Sequence, residues 1–157
     1  MSSLDVVHYK EVVGHYATGV VVITAATPAG PVGFTCQTFG SLSLEPILGF
    51  FAVRSASQSW AHVRSAGDVG INMLAADQEG LARVFATSGV DKFAGVDWSP
   101  APRGSPLLGG ALAHLEGEIM SVATHGDHDL AVVQIHFVHA YPGHPLLYYR
   151  GGYGLAE

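Results

Sequence analysis

The chain has 157 residues, 48% hydrophobic and 13% charged, with a formal net charge of −6. That length supports one domain over residues 1–157 with a real core, and the scarcity of charge points to a face buried against a second copy. Seven scattered Lys and Arg argue against nucleic-acid binding, the lack of an apolar run of about 18 residues argues against a membrane-spanning helix, and the single cysteine, Cys36, excludes an internal disulfide.

Residues 4–17 carry Val6, Tyr9, Val13 and Tyr16 at helical spacing, which predicts an amphipathic helix ending before Gly19. Asp5, His8, Lys10 and Glu11 rule out a signal segment here, so the expected location is cytoplasmic. Val20 to Ala25 is a β-branched strand, Thr27 to Pro31 a turn, and Val32 to Thr35 the returning strand of a hairpin. Ile47 to Val53 reads as a strand apolar on both faces. Ser57 is a candidate N-cap for a helix to Ala66, and Val69 to Leu74 is a short strand. Asp77 is a candidate cap for a second helix whose stripe is Leu81, Val84 and Phe85, with Gly89 beyond its end. Pro100, Pro102 and Pro106 exclude long elements between Val90 and Gly110. Ala111 to Ala123 and Asp129 to Ala140 are two long strands, the second with two-residue alternation, and Leu146 to Tyr149 is a last short one. Hairpin-linked strands with a few helices between them predict a mainly β fold, a small β-barrel with peripheral helices.

The stretch from Gly33 to Trp60 concentrates small hydroxyl residues around one cation, Arg54. Thr35, Thr38, Ser41, Ser43, Ser55, Ser57 and Ser59 lie in breaks between strands, where hydroxyls and exposed amides suit a flat polar heterocycle carrying a phosphate. Ser57 is equally a plain helix cap, and Cys36 reads as a buried small residue rather than a nucleophile.

Along nearly its whole length the chain resembles the short-chain flavin reductase family. The resemblance rests on Tyr16 to Val22, Gly33-Phe34-Thr35, Ser41-Leu42-Ser43-Leu44-Glu45-Pro46 and Arg54-Ser55-Ala56-Ser57. It continues in Ile71-Asn72-Met73-Leu74-Ala75, Asp91-Lys92-Phe93-Ala94-Gly95-Val96, Pro106-Leu107-Leu108, Gly126-Asp127-His128 and Pro145-Leu146-Leu147-Tyr148. It implies an FMN-binding split barrel, Greek-key-like, in a homodimer that reduces FMN or FAD with NADH or NADPH and passes the reduced flavin to a separate monooxygenase. It places Thr35, Cys36, Gln37, Thr38, Ser41, Leu42 and Ser43 around the isoalloxazine, and Arg54, Ser55 and Ser57 near the ribityl phosphate. Lys92 and Phe93 fall in a further flavin-proximal motif, though a solvated Lys and a core Phe are the alternatives. Gly126, Asp127 and His128 are expected to bind the nicotinamide, with Asp127 orienting the His128 imidazole. Tyr148, Arg150 and Tyr153 would close over the site or over a dimer contact.

Two departures from the family pattern stand out. Thr35-Cys36-Gln37-Thr38 replaces a usual Thr-Ala-Asn-Ser, and Pro46-Ile47, followed by Phe50-Phe51, replaces a proline pair. The changes at Gln37 and Thr38 motivate the alternative of a flavin-binding protein of the same fold that does not oxidise NAD(P)H, while the intact Gly126-Asp127-His128 argues against it. An oxidase of the pyridoxamine-phosphate type is disfavoured by the few Lys and Arg. No metal site is expected: His125, His128, His136, His139 and His144 lack ligand spacing, and His136 and His139 fall on opposite faces of a strand. A serine hydrolase is disfavoured by the missing G-x-S-x-G elbow, and a Rossmann fingerprint is absent.

Overall fold

The computed structural model describes residues 3–154. The first helix, α1, is Val6–Val13, shorter than its apolar periodicity suggests. Asp5 caps it by accepting from the Val7 amide at 3.0 Å, and none of its residues is buried. Among the described residues nothing buries its apolar side, so the helix gives way to a turn at Gly14 and Tyr16 is 81% exposed.

Twelve strands and two further helices follow. The strands are β1 Thr18–Gly19, β2 Val21–Thr27, β3 Gly30–Cys36, β4 Gly40–Leu44, β5 Ile47–Arg54, β6 Asp68–Met73, β7 Trp98–Pro100, β8 Pro106–Leu108, β9 Ala113–His125, β10 His128–Ala140, β11 Leu147–Tyr149 and β12 Gly152–Tyr153; the helices are α2 Gln58–Ala66 and α3 Glu79–Phe85. Seven strands form one antiparallel sheet in the order β3-β2-β6-β9-β10-β5-β4. Its two ends approach each other, and residues from β2, β3, β5, β6, β10 and α2 fill one shared core. This is a mainly β fold of the split-barrel type, as expected.

The β2 sequence explains its central place. Alternation sends Val21, Ile23 and Ala25 into that core, and puts Val22 on the other face with Val20, Leu74, Ala82, Phe85, Leu108 and Leu146. Polar groups there are satisfied: Thr24 Oγ1 donates to Pro106 O at 2.6 Å, and Asn72 links Val22 O to the Leu108 amide at 3.0 and 2.8 Å.

Closure between β3 and β5 uses side chains. β4 pairs only with Ile47 to Phe50, so β5 has a free outer edge at Ala52. Thr38 Oγ1 fills it, accepting from Ala52 N at 2.9 Å and donating to Ala52 O at 2.7 Å, while Cys36 Sγ donates to the same carbonyl at 3.4 Å. Burial pushes the Cys36 thiol up and outweighs its hydrogen bonds to Thr38 and Ala52, so it stays a neutral donor.

Several expectations need correction. Residues 40–44 form a strand where only a hydroxyl-rich break was read. β5 buries Gly49, Phe51 and Val53 on one face and only half-covers the other. Asp77 does not cap α3; its N-cap is Gln78, whose amide instead accepts from Ala75 N at 2.9 Å and donates to Gly109 O at 3.0 Å. Ala82 replaces Val84 in the buried stripe of α3, because the helix packs on β3 through the Phe85 and Ala82 side. The last short strand, read from Leu146, begins at Leu147 and pairs with β1 in a separate small sheet.

Candidate functional site

A cavity of about 930 Å³ opens where β3, the end of β5, the start of α2 and the loop after α3 meet. Its lining includes Thr35, Cys36, Gln37, Thr38, Arg54, Ser57, Lys92, Phe93 and His128, so nine of the sequence-selected residues share one cleft. Ser41, Leu42 and Ser43 lie on the partly exposed strand β4, outside its walls. Ser55, Gly126 and Asp127 sit just behind or beside it, and Tyr148 packs edge-to-face on Tyr153 at 5.2 Å in the small β1–β11–β12 sheet.

The walls differ in how their polar groups are used. The Thr35 hydroxyl donates to Ala82 O at 2.6 Å and the Thr38 hydroxyl holds Ala52, so both are committed to the fold. What the β3 side offers is the outward main-chain edge and the Gln37 amide, which makes no side-chain hydrogen bond among the described residues. Gly33 carbonyl, on that edge, accepts from Lys92 Nζ at 3.1 Å. Glycine is required there, because a Cβ would lie 2.7 Å from Ile23 O and 3.1 Å from the Phe85 ring.

Lys92 also donates to Ser59 Oγ at 3.1 Å, and no carboxylate pairs with it among the described residues. Partial burial holds its ammonium below the usual lysine value. Ser57 caps α2, accepting from Trp60 N at 3.2 Å, and its own amide donates to Arg54 O at 3.1 Å. Arg54, Lys92 and the open start of α2 thus give the cleft a positive end in a chain of net charge −6. Phe93 stacks edge-to-face on Phe85 at 5.0 Å and on Trp98 at 6.2 Å, closing the cleft beside Lys92.

His128 reaches the cleft from the β9–β10 hairpin, whose two-residue turn puts Gly126 at φ 61°, a conformation glycine adopts without strain. Its Nδ1 lies 2.7 Å from Asp127 Oδ1. That contact assigns the proton to Nδ1 and leaves Nε2 as the free ring nitrogen. The hydrogen bond from His128 holds Asp127 below the usual carboxylate value.

Some lining residues went unread in the sequence, among them His62 and Ser88. His62 lies one turn along α2 from Ser59, at the i+3 spacing that puts both on one helix face, so it was available as a signal. Ser88 lies past the end of α3 and carries no such pattern. Three histidines away from the cleft have partners of their own: His114 Nε2 bonds Leu108 O at 2.7 Å, His136 lies 3.5 Å from Glu116, and His139 stacks on Tyr141 at 4.6 Å.

Residues 13–156 match the flavin reductase like domain family. The chain belongs to this family. It is 40% identical over 152 residues to the flavin-dependent monooxygenase reductase subunit HsaB of Rhodococcus jostii, covering 96% of this chain and 78% of that protein. Among solved structures it is similar to nitrilotriacetate monooxygenase component B of Mycobacterium thermoresistibile, with a TM-score of 0.91 at 37% identity over 96% of this chain and 86% of the other. It is also similar to the NADH:FAD oxidoreductase SgcE6 of Streptomyces globisporus in complex with NAD and FAD fragments, with a TM-score of 0.91 at 31% identity over 99% and 98%. No helix of the described residues is long and apolar enough to cross a membrane.

Proposed function

We propose that the chain is an NAD(P)H-dependent flavin reductase that uses FMN or FAD and supplies reduced flavin to a separate monooxygenase in the cytoplasm. The observation that carries this reading is the single cleft shared by residues 35–38, Arg54, Ser57, Lys92, Phe93 and His128. Its donor set fits a flavin: a free amide and a main-chain edge for the polar rim of the ring, and unpaired cations with a helix start for a phosphate. When bound, the flavin supplies N5 as hydride acceptor and the nicotinamide supplies the hydride from C4. Gln37 and the outward groups of β3 orient the ring, and Arg54 and Lys92 balance phosphate charge. Asp127 fixes the His128 tautomer, and His128 positions the nicotinamide without transferring a proton, since the hydride step needs no protein acid or base.

The test is turnover of purified protein with NADH or NADPH and FMN or FAD, followed at the nicotinamide absorbance. Oxidation that requires added or bound flavin is expected. Flavin binding without turnover in any combination would favour a non-reducing flavin protein.

The active unit is a homodimer in this reading. The apolar residues of α1, with Val6 64%, Val7 74% and Val12 56% exposed, need a cover, and so do Leu42 and Leu44 on β4 at 52% and 83%. Ser41, Leu42 and Ser43 lie outside their own chain's cleft and would approach a flavin from the second copy. A stable monomer at micromolar concentration in a size measurement would contradict this arrangement.

A further inference from the structure

Asp129 follows His128 on β10 and points to the opposite side of the strand, into the protein, where it is 4% exposed. Its Oδ1 accepts from Ser55 Oγ and from Thr124 Oγ1, each at 2.8 Å. Its Oδ2 accepts from the Trp60 indole N–H at 2.8 Å and lies 3.7 Å from Arg64 Nη1. One carboxylate therefore joins the turn after β5, both ends of α2, the end of β9 and the start of β10. Besides it, the turn is held to the hairpin by the Ser55 amide donating to Asp127 O at 3.1 Å.

We infer that Asp129 is the positioning residue of the anion-binding end of the cleft, fixing the turn from Arg54 to Ser57 and the start of α2 so that their cation and amides converge on a flavin phosphate. The inference rests on the proposed flavin site. The geometry favours this role over simple core filling. Three of the four contacts reach the turn or α2, the elements that present Arg54, Ser57 and Ser59, and none reaches the β3 wall that would hold the ring. Carboxylate hydrogen bonds of this kind are short and strong, so the frame they build is stiff. Loss of Asp129 should therefore harm recognition of the phosphate and spare recognition of the ring.

Asp129→Asn keeps the shape but leaves one acceptor oxygen, so the new amide must face either the Trp60 N–H or the two hydroxyls with a donor. Ser55→Ala removes the turn's side-chain link alone and keeps the other three, which guards the test if the Asn variant does not fold. Dissociation constants for FMN and for riboflavin, which lacks the phosphate, are measured by flavin fluorescence on wild type and both variants. The wild type should prefer FMN; Asp129→Asn should lose about tenfold of that preference and Ser55→Ala about threefold, with riboflavin affinity within about twofold of wild type throughout. A wild-type preference that survives in both variants, or an equal loss for FMN and riboflavin, would overturn the positioning role. A wild type that binds FMN and riboflavin equally would instead overturn the phosphate placement beneath it.

Discussion

Asp127 and Asp129 stand two residues apart on either side of His128 and live in opposite surroundings. Asp127 has a side chain 89% exposed and one partner, His128. Asp129 is buried and takes three hydrogen bonds at 2.8 Å and an ion pair. Strand alternation alone would put them on the same side; the hairpin turn separates them, leaving Asp127 in the bend and Asp129 in the ladder opposite Val53 and Thr124. The same side chain thus ties the frame together at one position and holds only its neighbour His128 at the other. What differs is access to water, which competes for an exposed hydrogen bond and cannot replace a buried one.

The largest effect expected from this contrast is on folding. Asp129→Ala leaves the Trp60 N–H and the Ser55 and Thr124 hydroxyls without their acceptor in a dry site, so the melting temperature should fall by several degrees at least. A thermal unfolding curve superimposable on wild type would show that water or rearranged partners satisfy those donors.

Acid should expose the same asymmetry. The hydrogen bonds from Trp60, Ser55 and Thr124 outweigh burial and hold Asp129 below the usual carboxylate value. Burial raises Glu116, but its hydrogen bonds, among them the Arg103 and Ser105 amides and His136, more than reverse this. A depressed folded pKa means the unfolded chain binds the proton first. The stability is therefore present above the unfolded value of about 4 and lost as pH falls through the folded one. Denaturant unfolding between about pH 5 and pH 2 should show stability falling with acid, with a shallower slope in Asp129→Asn than in wild type. Equal slopes in the two proteins would mean that Asp129 is not ionised by the fold in the way its partners imply.

How much of this could be read beforehand follows the range of the contacts. Local signals were legible: Ser57 capping α2, the β9–β10 hairpin around Gly126, and the alternation of β10 between buried and open faces. The split barrel came through the resemblance, since no spacing rule tells which strands close a sheet. Contacts between distant residues were not legible. Thr35 and Thr38 looked like ligand hydroxyls, yet they bond Ala82 and Ala52, 47 and 14 residues away. Asp129 attracted no notice, because its partners come from the turn after β5, from α2 and from β9. Helix α1 ended early because apolar periodicity promises a packing partner, and none of its residues is buried by the described residues.

His128 sharpens the comparison on the ligand side. His128→Ala should raise the KM for NAD(P)H about tenfold while flavin affinity stays within about twofold, because the ring lines the cleft and makes no side-chain hydrogen bond other than to Asp127 among the described residues. Steady-state kinetics paired with flavin titration separates the two constants. An unchanged KM would remove His128 from nicotinamide binding.

Asp127→Asn should have the smallest effect and tests whether the exposed pair acts as one unit. The Asn oxygen can still accept from His128 Nδ1, so the ring keeps its tautomer and loses only the charge beside it. In a position this open, water screens that charge and an ion pair contributes little. The melting temperature should not move, and the KM for NAD(P)H should rise by no more than about threefold. A rise matching that of His128→Ala would mean that the charge, rather than the orientation, is what the nicotinamide site reads. The exposed carboxylate would then matter to binding as much as the buried one matters to the frame.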